Sequence, residues 1–288
     1  MHLKYIIFFF LAAISLKAQN LQSNIIVPES EHIVKSTINY KTYRLYVSLP
    51  VDYNPENSLR YPVLYILDAK YSYPIISSVH ELLEYSGDMG KTIIVAIGDE
   101  DLSSTTWHMG RTADYTPSND PVADREIAGG ANIELSKVHS GGAKAFLETI
   151  RRDIIPFIEK KYKTTNERGI AGHSLGGLFA GYCLLNSPDL FQKYGVSSPS
   201  LFWNNNEIVE SEKLFALKHK KLNGKVFISV GSREPEVMYP SINSFVSSLK
   251  EHNYEGLSVT YQLFENETHA SVMAVSISRM LRVLYGNL

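Results

Sequence analysis

Short, nearly continuous apolar runs alternate with amphipathic stretches along this chain, and few architectures accept that order. The runs "YPVLYILD" (residues 61–68) and "KTIIVAIG" (residues 91–98) have the length of strands buried on both faces of a parallel sheet. Between them, "YPIISSVHELLEYS" has the length and spacing of a crossover helix. The order recurs downstream: "RGIAG" and a helix from Leu175, "KYGVSSPS" and a helix near residues 207–218, "KVFISVG" and a helix near residues 241–251, "LSVTYQLF" and a last helix from Ala270. Ahead of them, "EHIVKSTINY" and "KTYRLYVSLP" read as two antiparallel strands joined by a tight turn. Together these predict an α/β fold with a mostly parallel central sheet and helices on both faces.

Two segments interrupt the rhythm. Residues 99–139 read as an irregular loop insertion, and a long segment of that kind in a compact domain is commonly functional. "GGAKAFLETIRRDIIPFIEKKY" then reads as one helix, with Pro156 as a possible kink.

The chain has 288 residues, 44% hydrophobic and 20% charged, which suits one domain with a sizeable core. Its formal net charge of −2 offers no basic field for nucleic acid or an anionic membrane. The start, "MHLKYIIFFFLAAISLKAQN", places Lys4 before an apolar stretch and then small and polar residues, the layout of a signal peptide. The apolar stretch falls short of the roughly 20 residues of a permanent span. Residues 1–19 are therefore expected to be removed near Ala18 or Gln19, leaving residues 20–288 as one exported domain, periplasmic or secreted. Cys183 is the sole cysteine, so the domain is expected to hold without an intramolecular disulfide.

Within "RGIAGHSLGG", Ser174 falls at the corner between a short strand and an apolar helix, the setting of a nucleophile elbow. Side chains at Gly172 and Gly176 would collide across such a turn, and Gly177 lets the helix approach the sheet. A serine hydroxyl needs a base, and in a sheet of this kind the order is serine, acid, histidine. His173 adjoins the serine and is expected to point away; His219 and His252 lie at charged helix ends and read as surface. His269 remains, in the polar loop "ENETHAS" between the last strand and the last helix. The loop "SREPE" after "KVFISVG" offers Glu234 and Glu236 as the acid, with Glu234 better placed; a serine–histidine pair without an acid is the alternative. The backbone N–H of Leu175 is expected to form half of an oxyanion hole, and that of Lys70, after "YILDA", the other half. No spacing of Cys, His or Asp suggests a metal, and no cofactor is implied.

Read together, "YPVLYILDA", "RTADYTPS", "GHSLGG", "SSPSLFWNN", "VGSREPE" and "ETHASV" resemble the putative-esterase family of α/β-hydrolases, notably its enterochelin (siderophore) esterase and IroE-like members. The resemblance runs from about Glu31 to the C-terminus. It implies an α/β-hydrolase fold and serine-dependent hydrolysis of a small-molecule carboxylic ester; no protein partner is implied. It also implies a substrate-holding role for Arg111, for which an ion pair with Asp114 is the structural alternative. Trp203 is either a cleft wall or core packing. Feruloyl, acetyl-xylan and acyltransferase activities occur in the same broad family, and a degenerate ligand-binding hydrolase is the reading from another class.

Overall fold

The computed structural model describes residues 30–286, so the stretch read as a signal peptide lies outside the described residues. Strands β1 (Ser30–Lys35) and β2 (Thr42–Ser48) pair antiparallel. They are followed by β3 (Tyr61–Ile66), α1 (Ala69–Ser86) and β4 (Ile93–Asp99). Next come α2 (Ser104–Tyr115), α3 (Pro121–Gly130), α4 (Ala143–Thr149) and α5 (Ile155–Lys161). The chain then alternates through β5 (Thr164–His173), α6 (Leu175–Asn186), β6 (Lys193–Ser197), α7 (Trp203–Lys218), β7 (Lys221–Gly231), α8 (Met238–His252), β8 (Glu255–Phe264) and α9 (Val272–Tyr285).

One eight-stranded sheet results, in the order β1-β2-β4-β3-β5-β6-β7-β8. Strands β3 to β8 are parallel, and β2 joins β4 antiparallel. From β3 the chain moves out to β4 and then returns to β3's other side as β5. The carboxyl ends of β3 and β5 therefore flank a topological switch point, where open α/β sheets carry their sites. Helices α1 and α9 cover one face, burying Tyr73, Ile76, Ile277 and Met280. On the other face, α4 to α8 bury Phe146, Ile158, Phe179, Ile208 and Phe245.

Three expectations need correction. Residues 99–139 are largely helical, comprising α2, α3 and a single 3₁₀ turn at Leu135–Lys137. Capping rather than apolar periodicity sets these helices: Ser103 accepts the Thr106 N–H, and Asp120, just before Pro121, accepts those of Val122 and Ala123. The expected single helix after Gly142 is split by a π-turn at Ile150–Ile154. Pro156 has no N–H for the carbonyl four residues back, and the wider turn absorbs the mismatch. Finally, His252 is not simply solvated. Its Nδ1 lies 2.9 Å from Glu212, which also takes the Tyr254 hydroxyl at 2.7 Å and ties α7 to α8 and β8.

Helix α2 rests on the end of β4, where a Cβ added at Gly110 would fall 2.1 Å from Asp99 Oδ1. Burial, and then the negative charge of Asp114, push the Asp99 carboxyl up to about 7. Its folded value thus exceeds the unfolded one of about 4, so its contribution to stability declines as pH rises between the two. Asp99→Asn is expected to raise the melting midpoint at pH 8, with the gain fading toward pH 4. A gain independent of pH in thermal melts would contradict this.

Candidate active site

Ser174 occupies the turn from β5 into α6 with φ 62° and ψ −119°, a conformation L-residues rarely adopt. Strand β6 and the turn after it hold it there: its N–H donates to the Ser197 carbonyl at 3.0 Å, and its own carbonyl accepts the Ser200 N–H at 3.1 Å. The turn closes only because residue 172 is glycine; a Cβ there would lie 2.4 Å from the Gly176 carbonyl. One at Gly177 would meet the Ser197 carbonyl oxygen at 2.8 Å, which shows how closely α6 lies on the sheet.

Glu234 follows β7 and His269 follows β8. The Glu234 side chain has no exposed surface, and its Oε2 accepts from His269 Nδ1 at 2.6 Å. Glu236, the alternative acid, is exposed. Burial raises the Glu234 carboxyl, but the hydrogen bond and charge of His269, with the Gly231 N–H, outweigh it and hold the group below the usual carboxylate range. An ionised Glu234 fixes the proton of His269 on Nδ1 and leaves Nε2 as the acceptor. Tyr239, which sequence reasoning missed, clamps this loop: its hydroxyl accepts the Glu234 N–H at 3.1 Å and donates to the Gly231 carbonyl at 2.8 Å. The Arg233 N–H bonds the Glu267 carbonyl at 2.9 Å, lacing the acid loop to the histidine loop.

His173 does not point away. Its ring centroid lies 4.5 Å from that of His269, and burial, then the charges of His269 and Arg111, push its imidazole down to about 3. Strand alternation fails as a guide here because the chain turns sharply at the very next residue. Ser200 is a second residue that the sequence reading missed. Its hydroxyl is 3.3 Å from that of Ser174, and the resting serine is bonded to it rather than to His269.

Above Ser174 opens a cavity of about 460 Å³, walled by His108 and Arg111 of α2, Val122 and Glu126 of α3, Phe202 and Trp203. The segment read as an insertion therefore roofs the site. Trp203 serves both expected purposes: it is buried in the core, lines the cavity, and donates from Nε1 to the Ser118 carbonyl at 3.2 Å. Arg111 pairs not with Asp114 but with Asp68, Nε to Oδ1 at 3.1 Å and Nη2 to Oδ2 at 3.2 Å. Asp114 is taken instead by Lys41 at 2.7 Å and the Tyr43 hydroxyl at 2.9 Å. The Lys70 ammonium bonds the Ser104 hydroxyl at 2.9 Å, away from the serine, while its backbone N–H lies in the first turn of α1.

A sheet of this order, with a strained serine at its switch point, defines an α/β-hydrolase. The family model described as "Putative esterase" matches residues 36–269, and the chain belongs to that family of ester-cleaving hydrolases. It is 31% identical over 269 residues to the ferri-bacillibactin esterase BesA of Bacillus subtilis, covering 89% of each chain. To a siderophore triacetylfusarinine C esterase of Aspergillus fumigatus it is 26% identical, covering 90% of this chain and 94% of the other. In fold it is similar to an IroE-like serine hydrolase from Shewanella oneidensis, with a TM-score of 0.75 at 23% identity over 89% of this chain and 79% of that one.

The depressed His173 value predicts a ring that stays neutral through the physiological range. Nitrogen-detected NMR of histidine-labelled protein should show the neutral pattern for His173 from pH 5 to 8. A protonation step in that window would contradict the packing described.

Proposed function

We propose that the protein is an exported serine esterase that opens the ester bonds of siderophores, with Ser174 as nucleophile, His269 as base and Glu234 as its orienting acid. The 2.6 Å contact between His269 Nδ1 and a buried, ionised Glu234 carries this reading, because it readies Nε2 to take a proton. Ser174 Oγ attacks the ester carbonyl carbon as its proton passes to His269. The carbonyl oxygen, now an oxyanion, is met by the N–H groups of Leu175 and Lys70. Collapse expels the alcohol, which takes its proton back from His269, and water releases the acyl group by the same route. In the free enzyme Ser174 rests on Ser200; hydrogen bonds of this kind commonly tighten onto the base only with substrate in place.

The siderophore assignment is supported by relatives named as a ferri-bacillibactin esterase and a siderophore triacetylfusarinine C esterase. The aromatic wall of Phe202 and Trp203 suits aryl arms on a lactone core. Export is supported by the leader-like residues 1–19, with residues 20–288 as the working domain. Among the described residues, no helix is long and apolar enough to cross a membrane.

Residues 20–288 are expected to cleave an enterobactin-type trilactone with much higher kcat/KM than a short p-nitrophenyl ester. Ser174→Ala and His269→Ala should each lower kcat by at least about 10⁴-fold, and the double variant should be no worse than either alone. Glu234→Gln should cost about 10²–10⁴-fold. Tight trilactone binding without Ser174-dependent turnover would instead make this a ligand-binding protein, and equal use of both esters would remove the siderophore assignment.

A further inference from the structure

Arg111 has three of its five N–H donors engaged inside the protein, leaving the two on Nη1. Its side chain is 11% exposed, and its guanidinium lies 4.6 Å above the Trp107 ring. Nε and Nη2 grip both oxygens of Asp68, and Nη2 also donates to the His173 carbonyl at 3.2 Å. Asp68 is 4% exposed and takes a further hydrogen bond from Trp107 Nε1 at 2.8 Å. A buried carboxylate so held neutralises the guanidinium, and an anion entering the cavity meets a pair rather than a free cation.

What the pair joins is more informative. Asp68 is the left-handed residue (φ 59°, ψ 48°) between β3 and α1, and its carbonyl accepts the N–H groups of Tyr71 and Ser72. Lys70 lies two residues beyond it. His173 is the last residue of β5, and Leu175 lies two residues beyond that. The guanidinium thus bridges two backbone turns at residues that each stand two positions before one of the two expected oxyanion donors. The turns are drawn close: a Cβ added at Gly176 would sit 3.2 Å from Asp68 Oδ2.

We propose that Arg111 and Asp68 form a staple that sets the spacing of the Leu175 and Lys70 N–H groups, making Arg111 a positioning residue for ester cleavage rather than an anchor for substrate charge. The inference rests on Ser174 as nucleophile and on those two donors. Oxyanion donors act at about 2.7–3.1 Å from the developing charge, and a displacement of about 1 Å can cost about 10²-fold. A lysine reaches one acceptor as a point charge and cannot bridge a carboxylate and a carbonyl in this planar, forked manner.

The test compares kcat and KM of wild type, Arg111→Gln, Arg111→Lys, Asp68→Asn and the milder Trp107→Phe. One substrate is a neutral p-nitrophenyl ester, the other a ferric enterobactin-type trilactone, which is a trianion. Turnover is expressed per folded molecule, counted from the amplitude of thermal unfolding. The staple predicts that kcat falls about 10–10³-fold on both substrates for the Arg111 and Asp68 variants. KM for the neutral ester should stay within about twofold, Arg111→Lys should not rescue, and Trp107→Phe should show the same pattern more weakly. Unchanged kinetics on the neutral ester, with KM raised for the trianion alone, would overturn the staple and make Arg111 a charge anchor. Hydrolysis surviving in Ser174→Ala would instead defeat the underlying reading of the site.

Discussion

The rest of the site depends on one tight contact, the closure of the chain on itself between the end of β5 and the start of α6. Gly172 lies so close to the Gly176 carbonyl that no side chain fits, and Ser174 is held at a positive φ between them. Strain of this kind persists only where the surroundings over-determine it. Here the bonds between Ser174 and both Ser197 and Ser200 do so, and both partners belong to β6 and the turn that follows it. The same contact sends the Ser174 side chain out over the sheet's carboxyl edge and opens α6 beside it, so the helix's unpaired N–H groups face the proposed oxyanion position.

Residue types alone would not have made this site, as a second grouping in the chain shows. Ser48 Oγ lies 3.4 Å from His80 Nδ1, and His80 Nε2 lies 2.8 Å from Glu84. That string has the composition of a catalytic triad, yet it joins an ordinary strand to an ordinary helix. His80 and Glu84 are 1% and 2% exposed. It has no strained turn presenting the serine and no helix N-terminus beside it, and it fastens α1 to β2. What separates the two groupings is backbone geometry, and the glycine spacing around Ser174 is the sequence trace of that geometry.

This explains which features were legible in the sequence. Strands β3 to β7 were readable because their apolar runs are buried on both faces, and the elbow because only glycine tolerates its contacts. Helices α2 and α3 were not, since they roof an open cavity and bury few apolar residues, leaving caps such as Ser103 and Asp120 as their main signal. Pairings between distant loops were also beyond sequence: nothing near Arg111 marks Asp68 as its partner, and nothing near Tyr239 marks it as the clamp on Glu234. His173 was misplaced because alternation along a strand says nothing about a residue bordering a left-handed turn.

The most direct test of the account is the structure of the protein after reaction with a neutral p-nitrophenyl phosphonate, which leaves a tetrahedral adduct on an activated serine. The account predicts phosphorus bonded to Ser174 Oγ, with the phosphoryl oxygen about 2.7–3.1 Å from the N–H groups of Leu175 and Lys70 and Arg111 still on Asp68. An adduct whose oxygen turns to the Arg111 guanidinium, or no adduct on Ser174 at all, would contradict it.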